Sequence, residues 1–233
     1  MLDFQHVYKN MKKISEARKT IYFRKLDDQD FNAIMHCLQG RIIDYKEGDY
    51  IVQTGDKISF AYLIISGIAR SIQIDENGNE FINLDYQKEN MFGLNDIINQ
   101  NKYFSEDLIA LTDVTVLALD SFRLINPTLN RCQRHIDLLK GCFKEIGRQN
   151  NAIMMHKHIL SLSKTREKVM EFLYMYEKKK KNSEFDIDYT RAELANLLGV
   201  ERSALSYELS KLKKDGIIDF SLNHFKIIKN RNL

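Results

Sequence analysis

Hydrogen-bonding side chains recur at helical spacing near the end of the chain, at Arg202, Ser203, Ser206 and Tyr207. On a helix with 3.6 residues per turn, these positions fall on adjoining parts of one surface. All four side chains donate hydrogen bonds, and an arginine can donate two to one guanine edge in the major groove of DNA. Lys226 follows as a cation of the kind that contacts phosphate. This set predicts base recognition.

The surrounding pattern predicts two short helices that would position these side chains. Thr190 and Glu193 have the spacing of a capping box, which marks a helix start. Gly199 permits a sharp turn before a second helix that begins near Arg202. The apolar side chains predicted to be buried are Leu194, Leu197, Leu198, Leu205, Leu209 and Leu212. Two helices joined by a short turn with glycine form a helix-turn-helix.

The segments on either side of 221–224 add to this prediction. IIDF and FKIIK are spaced as the strands of a hairpin, the usual wing of a winged helix. From Lys157 onward the chain has 16 Lys and Arg against 11 Asp and Glu, a net charge of +5, whereas the rest carries −2. A basic end of this kind is expected where a chain meets a polyanion. A ligand-binding or scaffolding protein whose helical hairpin contacts other proteins remains the alternative.

The chain before these helices has a different pattern of residue types. Residues 1–40 read as helical, and from Arg41 short segments rich in Ile, Tyr, Phe and Val follow one another, separated by glycines. Segments of five to seven residues at spacings of roughly 8–12 predict an antiparallel barrel or sandwich between about 20 and 120. Asn77-Gly78 is a hairpin signal. Pro127, the only proline, fits the first turn of a helix.

A long helix is predicted between 130 and 162. Leu139, Ile146, Ile153 and Leu160 recur every seven residues along it. This spacing is typical of a helix pair that forms a dimer, with polar residues fixing the register. The alternative is an amphipathic helix that packs only on its own barrel.

Several function classes find no support in the residues. There is no nucleophile–base arrangement, phosphate-binding glycine loop or acidic metal cluster, so no enzyme is expected. The cysteines Cys37, Cys132 and Cys142 are odd in number and widely spaced, which favours a reducing compartment. No apolar stretch reaches about 18 residues, and the start lacks a secretory signal. A cytoplasmic protein is expected.

Three stretches of the chain form one pattern: YKEGDYIVQTGDKISFAYLIISGIARSIQIDENGNE, MFG and TRAELANLLGVERSALSYELSKLKKDGII. Together with the long helix before the last stretch, this pattern resembles the CRP/FNR superfamily of bacterial transcription regulators. The resemblance covers about 20–230. It implies an α+β fold with three parts. The first is an N-terminal antiparallel β-roll (1–125), also described as a double-stranded β-helix, which resembles a cyclic-nucleotide-binding domain. A long dimerisation helix (126–162) and a C-terminal winged helix-turn-helix (163–233) follow.

The resemblance also implies partners and residue roles. A homodimer would bind double-stranded DNA at a palindromic operator and would contact RNA polymerase. Arg202 sits where the family has a base-contacting arginine, and Thr190 and Arg191 match the start that approaches phosphate. Two such dimer-related helices would lie about 34 Å apart, one turn of DNA.

The residues of the effector pocket depart from the family pattern. Members that bind a cyclic nucleotide carry Gly-Glu and later Arg-Ser or Arg-Thr, but here Leu94 follows Gly93. Phe104 precedes Ser105, and Glu106 follows it. A phenylalanine and a glutamate would not hold a phosphate, so cyclic AMP is not expected to bind. The effector is unknown. Asn150 and Asn151 would either face this pocket or be polar positions of the seam.

No metal or iron–sulfur cofactor is predicted. An iron–sulfur cluster needs about four cysteine ligands, and the N-terminal region has only Cys37. No histidine lies between His36 and His135, so the barrel cannot carry a histidine-rich metal site. His156 and His158 do not face each other on a helix and are interpreted as solvated or seam residues.

Overall fold

The structure, a computed structural model, describes residues 12–78, 80–126 and 133–228. The chain divides into two compact units, Met1–Asn151 and Ala152–Leu233. The boundary lies inside one long helix, Gln133–Ser161, and the predicted limits at 125 and 162 stay predictions. In the described part of the chain, no helix is long and apolar enough to cross a membrane.

Eight short strands build the first unit. They are β1 (Arg41–Tyr45), β2 (Tyr50–Val52), β3 (Phe60–Ser66), β4 (Ala69–Ile74), β5 (Glu80–Tyr86), β6 (Met91–Phe92), β7 (Asp107–Ala110) and β8 (Val114–Asp120). They pair antiparallel in two four-stranded sheets of order β1-β8-β3-β6 and β2-β7-β4-β5. Buried side chains of both sheets, among them Ala69, Leu108 and Val116, form one core. The predicted antiparallel β-roll is confirmed.

Helices pack against the outside of this roll. They are α1 (12–18 of the described residues), α2 (Asp28–Cys37), α3 (Leu94–Ile98), α4 (Ser121–Ile125) and the first part of α5 (Gln133–Ser161). A second apolar core joins them to the roll through Phe23, Leu94, Leu117, Leu124 and Leu138. The sequence did not predict α3, α4 or β6, which are too short to show a period. The predicted role of Pro127 lies outside the described residues.

The second unit contains the end of α5 and a small winged domain. Its elements are α6 (Thr165–Lys180), β9 (Glu184–Asp186), α7 (Arg191–Leu198), α8 (Arg202–Lys214), β10 (Ile218–Ser221) and β11 (His224–Ile227). The sheet order is β10-β11-β9, all antiparallel. The predicted helix-turn-helix and hairpin are confirmed, but β9 was not predicted, because a three-residue strand rich in acidic residues carries no strand signal.

Candidate nucleic-acid interface and effector pocket

The start of α7 is fixed by the predicted capping box. The hydroxyl of Thr190 accepts a hydrogen bond from the amide of Glu193 at 3.3 Å, and a carboxylate oxygen of Glu193 accepts one from the amide of Thr190 at 2.7 Å. At the other end, Gly199 has a φ of 59°, which a side chain would disfavour. The two ends therefore fix the length of α7 and the direction in which α8 leaves it.

Two basic side chains hold the turn between α7 and α8. The ammonium of Lys168, on α6, donates to the carbonyl oxygens of Leu198 at 3.0 Å and Gly199 at 3.3 Å. A ring nitrogen of His156, on α5, lies 2.6 Å from the carbonyl oxygen of Leu197. These carbonyls end a helix and have no intrahelical partner, so the contacts both satisfy them and complement the helix dipole. The turn is thereby held rigidly for α8.

Helix α8 has one buried and one open side. Leu205, Leu209 and Leu212 are buried, as predicted from their spacing. The predicted recognition residues Arg202, Ser203 and Ser206 are exposed, and Tyr207 exposes 68% of its surface. The structure thus brings these four residues together on the solvent side of one helix.

The open side of α8 continues further than the sequence analysis proposed. Ser210, Lys211 and Lys214 are exposed at helical spacing from Ser206 and Tyr207. The hydroxyls of Ser206 and Ser210 donate to carbonyl oxygens four residues earlier, at 3.0 and 2.9 Å. In this arrangement the hydroxyl oxygens are left to accept hydrogen bonds from outside the helix. The helical period of the segment carried enough signal to include the three additional residues.

An ion-pair network anchors α8 on its inner side. Arg166 of α6 donates to a carboxylate oxygen of Glu208 at 3.0 Å and to one of Asp215 at 2.9 Å. Glu208 lies in the middle of α8 and Asp215 directly follows its last residue, so Arg166 links the middle and the end of α8 to α6. Most of the acidic charge of this helix is therefore turned away from its open face.

The cations proposed for phosphate contacts have partners within the domain. Lys226 lies 2.9 Å from a carboxylate oxygen of Glu184. The guanidinium of Arg191 donates to the carbonyl oxygen of Leu222 and lies over the rings of Phe220 and Phe225. Burial lowers the pKa of Arg191 from its usual value. Arg191 is half-buried, whereas Lys226 is exposed but paired with Glu184.

Inside the β-roll, Phe104 occupies the position at which the family pattern has an arginine. Its side chain is 3% exposed and packs against Phe92 with ring centroids 5.4 Å apart. Gly93 has a φ of 89°, and a Cβ atom there would lie 3.2 Å from the Phe104 ring. The turn at Gly93 and the aromatic ring therefore fill this corner together, and the ring offers an anion no hydrogen bond.

Glu106 lies next to this corner and is held by polar neighbours. A carboxylate oxygen accepts a hydrogen bond from the Asn83 amide at 2.7 Å. Burial raises the pKa of Glu106, while hydrogen bonds from Asn83 and Ser71 act in the opposite direction. No basic side chain of the described residues forms an ion pair with it. Arg70, on β4 of the same sheet, donates to Asp85 at 2.6 and 3.1 Å.

The sequence did not identify Ser71 and Asn83 as neighbours of Glu106. Ser71 pairs with Leu84 and Ile72 with Ile82, so Asn83 is an extra residue in β5. Such a bulge changes the direction of a side chain, and the alternation of polar and apolar residues in β5 does not predict it. The contact is therefore a consequence of strand register that only the folded sheet reveals.

The remaining predicted pocket residues do not converge. Leu94 is buried in the outer core, where it helps to line an apolar cavity of about 220 Å³ outside the roll. Ser105 is exposed. Asn150 and Asn151 are both exposed on α5. The structure thus groups Gly93 with Phe104, leaves Glu106 with its sheet neighbours, and separates the others.

The predicted seam of α5 is exposed to different degrees along its length. Leu139 and Ile146 are half-buried, and Ile146 packs against the outer core of the first unit. Ile153 and Leu160 expose 45% and 44% of their surfaces. Phe143, at the alternate heptad position, exposes 66%. An apolar row on this helix therefore remains open to solvent in the isolated chain.

No metal-binding arrangement is found in the described part of the chain, which contains no group of three or more suitable His, Cys, Asp or Glu side chains. Cys37 is half-buried and Cys142 is buried. Burial raises the pKa of Cys142 to about 12, which keeps its thiol protonated at neutral pH. The third cysteine, Cys132, lies outside the described residues.

Residues 42–126 match the family model of the cyclic nucleotide-binding domain, and residues 167–233 match that of the Crp-like helix-turn-helix domain. The HTH-type transcriptional regulator ArcR of Staphylococcus haemolyticus is 21% identical over 193 residues, which cover 79% of this chain and 81% of the relative. The transcriptional activator protein FnrL of Cereibacter sphaeroides is 26% identical over 194 residues, covering 75% and 71%.

The fold has close counterparts among solved structures. The c-di-GMP-responsive global regulator CLP of Xanthomonas campestris superposes with a TM-score of 0.71 at 15% identity, over 88% of this chain and 100% of that one. In this chain the cyclic nucleotide-binding domain comes first and the Crp-like helix-turn-helix domain follows it. The chain therefore belongs to the CRP/FNR superfamily of transcriptional regulators.

Proposed function

We propose that the chain acts as a homodimer that binds an inverted-repeat operator in double-stranded DNA, with α8 of each subunit in a major groove. The observation that carries this proposal is the exposed row of Arg202, Ser203, Ser206 and Tyr207 on a helix whose acidic residue Glu208 is turned inward. A helix in the major groove reads bases through side chains near its N-terminal end.

The electrostatic contribution comes from cations at the other end of the same face. Lys211 and Lys214 are exposed, and cations near a helix C-terminus also complement its dipole. Phosphate contacts of this type give affinity without sequence preference, whereas Arg202 at the helix start supplies the preference. Lys226 joins them only if it exchanges Glu184 for a phosphate, an exchange that a weak surface ion pair permits.

Dimerisation through α5 is supported by its exposed apolar row. Phe143, Ile153 and Leu160 together present large apolar surfaces to solvent, which favours their burial against a second copy. Ile153 and Leu160 are seven residues apart, and Asn150 follows Phe143 by seven residues at the alternate heptad position, as in helix pairs whose register is set by a polar residue.

The β-roll of this regulator is proposed not to take cyclic AMP. Phe104 replaces a phosphate-binding cation with an apolar ring, and Glu106 adds a half-buried carboxylate nearby. The Phe104 ring offers a cyclic phosphate no hydrogen bond, and the carboxylate of Glu106 would repel it. An effector of different chemistry, or none, is compatible with this pocket. RNA polymerase remains a proposed partner on the strength of the family alone.

The experiment that tests the DNA-binding proposal is a fluorescence titration of labelled random duplex at several salt concentrations. Phosphate contacts release counterions, so the logarithm of the association constant should fall steeply with the logarithm of salt concentration. A chain that uses its helix-turn-helix for protein contacts would show no such binding at low salt, and this result would contradict the proposal.

A further inference from the structure

The tip of the wing is a two-residue turn with an unusual occupant. Ser221 pairs with His224, so Leu222 and Asn223 alone connect β10 to β11. Leu222 has a φ of 50°, where Gly, Asn or Asp is the usual choice in a tight hairpin. Its side chain is 86% exposed, the highest value among large apolar side chains of the described residues. A positive φ disfavours leucine at this position, and so does the exposure of its apolar side chain to water.

Arg191 fixes the position of this turn. Its guanidinium carbon lies 5.3 Å from the ring centre of Phe220 and 5.1 Å from that of Phe225, one ring on each wing strand. The same guanidinium donates to the carbonyl oxygen of Leu222. Its Nη1 atom is buried and, among the described residues, has no hydrogen-bond partner. The wing is thus stacked on, and hydrogen-bonded to, the first residue of α7.

Within the described hairpin, 218–227, each basic side chain has a carboxylate partner. In the hairpin, Lys226 is paired with Glu184, and the two ring nitrogens of His224 face Asp186 at 2.9 Å and Glu184 at 3.1 Å. Hydrogen bonds to Asp186 and Glu184 raise the pKa of His224 and so favour its charged form. The basic residues of the hairpin therefore neutralise the acidic strand β9. What the tip offers to a partner is an apolar side chain.

We propose that Leu222 packs against the sugar walls of the DNA minor groove beside each half-site, and that Arg191 is the positioning residue that holds it there. The inference rests on the proposed function, because it places the tip on DNA. Arg191 begins α7, and the amide end of a helix is the end that faces phosphates. Its bond to Leu222 puts the tip at that same end. Leucine is among the apolar side chains that enter minor grooves.

The first test is Leu222→Asn, which keeps a side chain but tolerates positive φ. The melting temperature should stay the same or rise, because backbone strain is relieved. Affinity for the operator should fall about 5- to 30-fold, with the salt slope unchanged, since no phosphate contact is lost. Leu222→Met is the matched control and should bind like the wild type, because it keeps an apolar side chain.

A variant that melts higher and binds the operator as tightly as the wild type would overturn the inference. A slope that changes by about one unit would do the same, because it would reveal a charge contact. If the wild type shows no sequence-specific binding at all, the proposed function fails first, and the two failures are therefore distinguishable.

The second test concerns Arg191. Arg191→Gln removes the stacking cation, so it should weaken operator binding as much as Leu222→Asn does, again without a change in salt slope. The double variant should lose no more than either single variant, because both changes act on one contact. Additive losses, or a slope lowered by about one in Arg191→Gln alone, would show that Arg191 contacts phosphate directly and would refute its positioning role.

Discussion

Arg202 is the first residue of α8, and its position explains how one side chain could determine base preference. It is exposed, whereas Leu205 one turn later is buried and fixes the rotation of the helix. The capping box at Thr190 and the contacts of Lys168 hold the preceding helix and turn. Because these supports do not involve Arg202, its replacement should leave the fold intact and change only what the helix reads.

We expect Arg202→Ala to weaken binding to the preferred operator by about 1–3 kcal/mol and to relax one base position in each half-site. Lys214→Ala, on the same face, is the matched comparison and should weaken all sequences alike while lowering the salt slope by about one unit. Fluorescence titrations on specific and scrambled duplexes measure both effects. Equal losses on both duplexes for Arg202→Ala would identify it as a phosphate contact.

Glu106 gives a prediction for pH dependence. Burial raises its pKa in the folded protein above the value in the unfolded chain, so the folded state binds a proton more readily. Its contribution to stability is therefore favourable at acidic pH and is lost as pH rises through the folded pKa. Glu106→Gln removes this loss and should raise the melting temperature more at pH 7 than at acidic pH. Thermal scans across pH check this, and an equal gain at both pH values would contradict it.

The same residue bears on the effector. Cyclic AMP should give no heat in a calorimetric titration of the wild type, because Phe104 and Glu106 provide no clamp for a phosphate. The cyclic-AMP-binding members of the family provide the positive control for the measurement. Saturable binding in the micromolar range would show that a cation from elsewhere in the chain completes the site.

At the scale of elements, α5 performs different tasks along its length. Its first part buries Leu138, Cys142 and Glu145 against its own unit, while Phe143 remains open between them. Its last turns belong to the second unit, where His156 contacts the end of α7. A heptad row on such a helix is therefore divided between intramolecular packing and the proposed partner.

Phe143→Asp should convert the dimer to monomers and abolish operator binding. The residue is largely exposed in the isolated chain, so the substitution should spare the fold, whereas a charge in a dimer seam is strongly unfavourable. Ile146→Asp is less decisive, because Ile146 also packs against its own core. Sedimentation measures the assembly state, with Lys144→Asp as the exposed control. A dimeric Phe143→Asp variant would place the seam elsewhere.

The elements predicted correctly from the sequence are those with a clear period or a specific cap. Leu205, Leu209 and Leu212 are buried in α8 as their spacing indicated. The helix-turn-helix followed from the Thr190 cap and Gly199. Two contacts between distant segments were not predicted. One is the hydrogen bond between Asn83 and Glu106, which depends on the bulge in β5, and the other is the stacking of Arg191 on the rings of the wing. Such contacts leave no local pattern to read.

At the scale of the whole molecule, a homodimer with a two-fold axis would require an operator with the same symmetry. Each subunit would present one α8, and two copies related by a dimer axis read the same bases in opposite directions. The distance between their half-sites should match one turn of duplex, roughly 34 Å. The net charge of +5 in the C-terminal third favours this end of each subunit as the one that meets the DNA.

The most direct test of this account is selection of genomic fragments bound by the full-length protein, followed by sequencing. We expect an inverted repeat whose half-site centres lie about 10–10.5 base pairs apart, with a preference for guanine at one position of each half that disappears in Arg202→Ala. Enrichment of a single unrepeated site, or of no sequence at all at physiological salt, would contradict it.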